Sequence, residues 1–222
     1  MIGQVLTKNY NAVSINANEI LRYAGVKKAS LSDKQLIDEC LLETEGVFRF
    51  SVCYSVFPVN ITENQVDLSF AKTTSKNLAK NLKDCDKAVV FCATRGLGID
   101  RLISKYGVIS PAKALIFQAI GAERIESLCN LFNEETAKEY KNLKPRFSPG
   151  YGDLDLAFQA DIFRALDCSK KIGVNLTNEF LMSPSKSVTA IIGISNKKCN
   201  KENLDCENCK KLDCEFRREL WK

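Results

Sequence analysis

Hydrophobic positions along the chain switch between helical and alternating spacing, and the switches divide it into elements. "ANEILRYAG" reads as a short helix ended by Gly25. Ser32 with Gln35 forms a capping box ahead of Leu36, Ile37, Cys40 and Leu41, a helical stripe ending at Gly46. "VFRFSVCYSVFPV", Val47 to Val59, alternates and is rich in β-branched and aromatic residues, as a strand is. Val66, Leu68 and Phe70 alternate again and suggest its hairpin partner. Ser75 caps a helix carrying Leu78, Ala79 and Leu82. "KAVVFCAT", Lys87 to Thr94, is apolar throughout, the mark of a central strand.

After that strand, "TRGLGID" opens a helix bearing Ile99, Leu102, Ile103 and Tyr106. Glycine-rich turns of this kind can cradle phosphate. This one lacks the spacing of the dinucleotide fingerprint and the Lys-Ser/Thr of a P-loop, so it reads as a tight strand-to-helix turn. A long helix follows from about Ala112 to Tyr140, then "RFSPGYGDL", then a helix with Phe158, Ile162 and Leu166 on one face. The last strand runs from Val188 to Ile194. Strands and helices do not alternate regularly, which favours α+β over a doubly wound sheet.

"RFSPGYGDL" fits neither helix nor strand. Pro149 fixes its own φ and pushes Ser148 into an extended conformation, while Gly150 and Gly152 permit backbone shapes closed to other residues. Such a segment holds Arg146 and Tyr151 in set directions. It suits either a ligand or a plain structural role, with Arg146 on a neighbouring carboxylate and Tyr151 packed.

Composition narrows the chemistry. The 222 residues contain no histidine, which removes His-based triads, His-zinc sites and a His general base. The net charge of +5 is spread along the chain and reads as solubility rather than a nucleic-acid footprint. No window approaches the ~18 apolar residues of a membrane span. "MIGQVLTKNYNAVSIN" lacks a signal-peptide run, so a cytoplasmic location is expected. Ten cysteines in a reducing compartment argue against a disulfide framework, and four of them crowd into the last 24 residues.

"RFSPGYGDL", a helix, and then "IGVNLTNEFLMSPSKSVTAIIGIS" together resemble the reactivation domain of cobalamin-dependent methionine synthase. That family carries an Arg-x-x-x-Gly-Tyr loop, a helix, a Gly-Val-x-Leu-Thr-Glu-like segment and a Pro-x-x-Ser-Val strand. The matching residues are Arg146, Gly150, Tyr151, Gly173, Leu176, Thr177, Met182, Pro184, Ser187 and Val188. "EILRYAG" and "SKNLAKNLKDCDKAVVFCATRGLGIDRLI" look like stand-alone relatives of the domain.

The resemblance implies an α+β fold with a mostly antiparallel twisted sheet flanked by helices over residues 1–195. It implies S-adenosylmethionine as ligand, whose methyl group remethylates cobalamin that has been oxidised and then re-reduced by one electron. Arg146 would meet the ligand carboxylate, and Tyr151, Gly150 and the backbone at Ser148 would line the pocket. Ile192 and Gly193 align with a ligand-contacting pair whose first member is aromatic in the family. Glu126 corresponds to a glutamate near the ligand amino group. Gly152-Asp153-Leu154-Asp155 departs from the family's Pro-Ala-Cys-Pro, and an N-terminal aspartate that the family uses has no counterpart here. The Asp-x-His-x-x-Gly motif of cobalamin-binding partners is also absent, so cobalamin must be held by a partner methionine synthase subunit, with flavodoxin or ferredoxin as reductant.

Residues 196–222 form a basic extension in which Cys199, Cys206, Cys209 and Cys214 follow a C-x6-C-x2-C-x4-C pattern. Four thiolates so spaced can close on one zinc or one [4Fe–4S] cluster; the bland reading is a tail of free thiols. The expected function is therefore a reactivation subunit acting in trans, with positioning rather than acid–base catalysis as its contribution. The alternative is an accessory redox protein that delivers electrons to a corrinoid protein through the cysteine tail.

Overall fold

A computed structural model of the chain describes residues 3–63 and 65–197. The N-terminal half holds β1 (Leu6–Tyr10), α1 (Ala17–Tyr23), α2 (Leu31–Glu43), β2 (Phe50–Pro58), β3 (Asn60–Ile61), β4 (Val66–Asp67), β5 (Lys72–Thr73), α3 (Lys76–Asn81) and β6 (Cys85–Thr94). Then follow α4 (Gly98–Ile109), α5 (Pro111–Glu139), α6 (Phe158–Leu166), α7 (Cys168–Ile172), β7 (Asn175–Leu176), β8 (Met182–Ser183) and β9 (Ser187–Ser195). The main sheet has the order β1-β2-β6-β9, antiparallel throughout, which makes the fold α+β.

Both faces of this sheet are covered, and the period of two assigns the side chains. Cys53, Phe57, Ala88, Val90, Cys92 and Ile191 point to one face, against Leu154 and α6 residues Phe158, Ile162 and Leu166. Val52, Val56, Val89, Phe91, Ala93, Ala190 and Ile192 point to the other, against α5 residues Ile125, Leu128, Cys129 and Phe132. Two-faced burial is why the central strands read as unbroken apolar runs. A third cluster joins α1, α2, α4 and the first half of α5 around Ile20, Ile37, Ile99, Phe117 and Ile120.

Two sequence expectations need correction, and one strand has no counterpart among them. The capping box of α2 is Ser30 with Asp33: Ser30 Oγ accepts the Asp33 N–H at 3.1 Å, and Asp33 Oδ2 accepts the Ser30 N–H at 2.8 Å. Ser30 is the extended residue that can reach forward, whereas Ser32 already lies inside the helix. Val66, Leu68 and Phe70 do not pair with β2; β4 sits in a small β3-β4-β5 sheet, and β2 is flanked by β1 and β6. β1 gives no strand signal in the sequence because it is an edge strand with three successive polar residues, Thr7 to Asn9, although its exposure alternates.

The N-terminal segment is tied to α5 by a buried ion pair. Arg124 bonds Glu123 and the Val13 carbonyl (2.8 Å), and Glu123 Oε1 accepts the Asn16 N–H (2.9 Å) and Ser127 Oγ–H (2.7 Å). Every Glu123 and Arg124 contact is charge-assisted, which is what makes burial of the two charges tolerable.

Candidate functional site

β9 is the last strand of the sheet, and the chain after α5 runs along its free edge. Ile191 and Phe147 exchange N–H···O bonds at 2.8 and 2.9 Å; Lys144 N–H reaches the Gly193 carbonyl at 2.8 Å, and Ser195 N–H that of Asn142 at 2.8 Å. This cover blunts an edge that would otherwise be open, and it fixes the entry to the loop at Arg146.

Beyond Phe147 the chain folds on itself. Tyr151 N–H donates to the Ser148 carbonyl (3.1 Å), Gly150 N–H to that of Leu154 (2.8 Å) and Leu154 N–H to that of Tyr151 (3.0 Å). The closure requires positive φ at Gly150 (+86°) and Gly152 (+56°), which only glycine adopts without strain. Leu154 is buried in the core and anchors the exit. Tyr151 is held outward, 69% exposed, with only an edge-on contact to Phe147 at 6.5 Å.

Arg146 lies over α5. Its Nη2 donates to Glu126 Oε2 at 3.1 Å and to Asn130 Oδ1 at 3.0 Å, while Nη1 is buried without a hydrogen-bond partner. Glu126, Cys129 and Asn130 are spaced i, i+3, i+4 and share one face of α5. Burial pushes the Cys129 thiol up to about 12, and the nearby Arg146 charge offsets only part of this. Burial, and next the Glu126 carboxylate, raises the Tyr23 phenol, so α1 borders the same patch.

Of the residues named from sequence, the fold thus gathers Arg146 and Glu126 in contact, with Ser148, Gly150 and Tyr151 on the attached loop. Ile192 lies inside the core against α5, 1% exposed, and Gly193 lies on the opposite face of β9. A Cβ at Gly193 would come within 2.7 Å of Cys85 Sγ and 2.9 Å of Leu82 Cδ2, so packing alone accounts for that glycine. Asn130 has no signal in the sequence and becomes visible only once Arg146 is known to reach α5; Asp153, there only a departure from the family pattern, gains a partner in Ser75 and the first turn of α3.

Downstream, Gln159 Nε2–H donates to the Phe180 carbonyl (2.8 Å), and the Ser185 N–H to Asp100 Oδ2 (3.2 Å), which holds the segment before β9. The "TRGLGID" turn is tight, as expected. Gly98 packs on Val47, whose carbonyl oxygen would sit 2.4 Å from an added Cβ, so its glycine answers a backbone contact. Cys199, Cys206, Cys209 and Cys214 lie outside the described residues. Among the described residues no group of three or more His, Cys, Asp or Glu is arranged to hold a metal ion, and no helix is long and apolar enough to cross a membrane.

Residues 126–203 match the family model described as "Vitamin B12 dependent methionine synthase, activation domain". The matched stretch begins at Glu126 and includes the whole loop and β9. The crystal structure of the MetH reactivation domain bound to AdoHcy superposes on the chain with a TM-score of 0.64 at 15% identity. The match covers 89% of this chain and 80% of that one. No curated protein matches. The chain therefore has the fold of the methionine synthase reactivation domain and, over residues 126–203, the sequence pattern of the vitamin B12 dependent methionine synthase activation family.

Proposed function

We propose that this chain binds S-adenosylmethionine at the Arg146 loop and supports reductive methylation of cobalamin held by a partner methionine synthase subunit. The observation that carries the reading is the cluster at the root of the loop: Arg146 Nη2 is on Glu126 and Asn130, with Cys129 beside the guanidinium, so a cation fork and a carboxylate stand together where the loop leaves β9. A carboxylate is the acceptor that a guanidinium fork matches best, and a carboxylate such as Glu126 suits an ammonium. The fold neighbour carries AdoHcy, the demethylated form of that ligand.

In this reading Arg146 takes the ligand carboxylate, Glu126 its ammonium, and Tyr151 with the Ser148–Gly150 backbone lies along the rest of the ligand. With one electron supplied by a flavodoxin or ferredoxin, the partner's cobalamin would supply the nucleophile for the sulfonium methyl, and S-adenosylhomocysteine would be the leaving product. No proton moves, so a chain without histidine lacks nothing for this step. The chain's own contribution is position: it holds the donor so that its methyl faces the partner's corrin.

The four tail cysteines are proposed to hold one zinc or one [4Fe–4S] cluster in a unit distinct from residues 1–195, and the accessory redox reading depends wholly on that tail. Metal analysis of anaerobically purified protein, with Cys206→Ser/Cys209→Ser as comparison, decides this; metal-free protein with four alkylatable tail thiols overturns it. For the principal reading the experiment is a calorimetric titration with S-adenosylmethionine. It is followed by a mixture with a cob(II)alamin-form methionine synthase lacking its own reactivation domain, plus a low-potential reductant. Saturable binding and return of methylcobalamin absorbance only in the complete mixture are expected. Binding without recovery would leave a ligand-binding module that does not act on that partner, and absence of binding would end the reading.

A further inference from the structure

We propose that Asp153 is a positioning residue for the ligand loop, clamping residues 146–154 to the N-terminus of α3 so that Arg146 and Tyr151 are presented in fixed directions; the link to ligand rests on the reading above. The loop is held at its entry by the ladder to β9 and needs a second fixed point at its exit. Asp153 supplies it. Its Oδ1 accepts the Ser75 hydroxyl at 2.5 Å and the Asn77 N–H at 3.1 Å, and its Oδ2 accepts the Lys76 N–H at 2.8 Å. Ser75 Oγ in turn accepts the Leu78 N–H at 3.0 Å.

The first turn of α3 is thus satisfied by one residue before the helix and by one carboxylate 78 positions away in sequence. Unpaired N–H groups at a helix start carry partial positive charge, so an ionised carboxylate suits this place better than a neutral group. The same contacts, the Ser75 hydroxyl first, hold the Asp153 carboxyl below its ordinary value and keep it charged. Gly152 makes the approach possible: an added Cβ would stand 2.5 Å from Asn77 Nδ2, so backbone lies directly on the α3 side chain. Leu154, the next residue after Asp153, is buried in the core cluster that also holds Leu78 of α3. Between the two fixed points Ser148 to Tyr151 are tied by hydrogen bonds within the loop, Tyr151 N–H to the Ser148 carbonyl and Gly150 N–H to that of Leu154, and carry the outward-facing phenol.

A loop held before binding spares the ligand the entropy of ordering it. Losing the clamp should therefore cost affinity even in a fully folded protein. The test uses the full chain with Asp153→Ala, Asp153→Asn and Ser75→Ala, each first checked for a native melting transition. In ligand-free protein, hydrogen exchange at the Gly150, Tyr151 and Leu154 amides should quicken by about tenfold in Asp153→Ala, with β6 and β9 amides unchanged. S-adenosylmethionine affinity, measured well below each melting temperature, should fall about tenfold in Asp153→Ala. Asp153→Asn keeps one acceptor oxygen and should recover part of the loss; Ser75→Ala should lose less than Asp153→Ala. A lowered melting temperature with unchanged loop exchange would make Asp153 an ordinary stabilising contact and overturn the proposal, as would faster exchange with unchanged affinity. If wild-type protein does not bind S-adenosylmethionine, the proposed function fails, and the exchange measurement alone still decides whether Asp153 fixes the loop.

Discussion

The Glu126 carboxylate stands 3.1 Å from Nη2 of Arg146, and the buried Cys129 thiol lies beside the same guanidinium. A surface arginine pairing with a glutamate is ordinary and contributes little. This arginine differs because it enters a loop closed on positive-φ glycines and shares one face of α5 with Glu126, Cys129 and Asn130. Arg146→Ala should weaken S-adenosylmethionine binding about thirtyfold, or about 2 kcal/mol, the scale of a charge-assisted contact. Arg146→Lys should recover little, because an ammonium cannot engage Glu126 and a ligand carboxylate side by side. Unchanged calorimetric affinity in folded Arg146→Ala would remove this residue from the site.

Glu126 carries the complementary prediction. Its side chain is 45% exposed, so neutralising it should change folding stability by less than about 1 kcal/mol. If the carboxylate receives the ligand ammonium, Glu126→Gln should still lower affinity, by about fivefold, although it frees Arg146 from a competing anion. Tighter binding by Glu126→Gln would show that the glutamate only competes for the guanidinium.

How much of this was legible in the sequence follows from which signals are local. Val89 to Ala93 declare a central strand because both their faces are buried, and that reads directly as an apolar run. Arg146, Gly150 and Tyr151 were legible as a loop because proline and glycine act through their own backbone angles. Asp153 was visible only as a departure from the resembled pattern, since its partners Ser75 to Asn77 lie across the fold. β1 was missed for a similar reason: Leu6 to Tyr10 form a strand because β2 offers them a ladder, and nothing in their own pattern demands it. Ile192 shows the converse limit, because alignment with a ligand-contacting pair does not reveal that its side chain turns into the core.

Acid sensitivity has a defined sign. The carboxyls of Glu43, Asp67, Asp84, Glu135 and Asp153 are all held below their ordinary values, by hydrogen bonds from Tyr106, the Ser69 backbone, Lys197, Lys8 and Ser75 respectively as the first cause. Their unfolded forms take up protons first as pH falls, so their contribution is complete above the ordinary carboxylate range of about 4 and is lost as pH drops through the lower folded values. Urea midpoints should be level from about pH 7 to 5 and fall steeply below about 4. Glu135→Gln removes the titrating charge that Lys8 and Tyr10 share (both 2.9 Å from Oε2) and should flatten that fall. A midpoint that does not move between neutral and acidic buffer would contradict the linkage.

The last prediction concerns a buried charge that the site does not use. Arg95 is fully buried; its Nε donates to the Gly121 carbonyl at 3.0 Å, yet both terminal nitrogens lack hydrogen-bond partners and the nearest carboxylate oxygen, on Asp100, is 4.0 Å away. Burial lowers its pKa to about 10, with Asp100 only partly compensating. Replacing an under-satisfied buried cation by an apolar side chain of similar length is neutral or favourable, so Arg95→Met should raise stability by about 1 kcal/mol. Gly121 is present because the guanidinium lies flat on α5: a Cβ there would meet Nη2 at 2.5 Å and Cζ at 2.9 Å. Helix propensity alone would reward Gly121→Ala by about 1 kcal/mol, but the clash should win and leave the variant about 2 kcal/mol less stable. In the Arg95→Met background the clash disappears and propensity remains, so the same substitution should become neutral or stabilising, a coupling of about 2 kcal/mol or more between the two positions. Four chemical denaturation curves measure it, and strictly additive effects would mean that Arg95 does not occupy the space above Gly121.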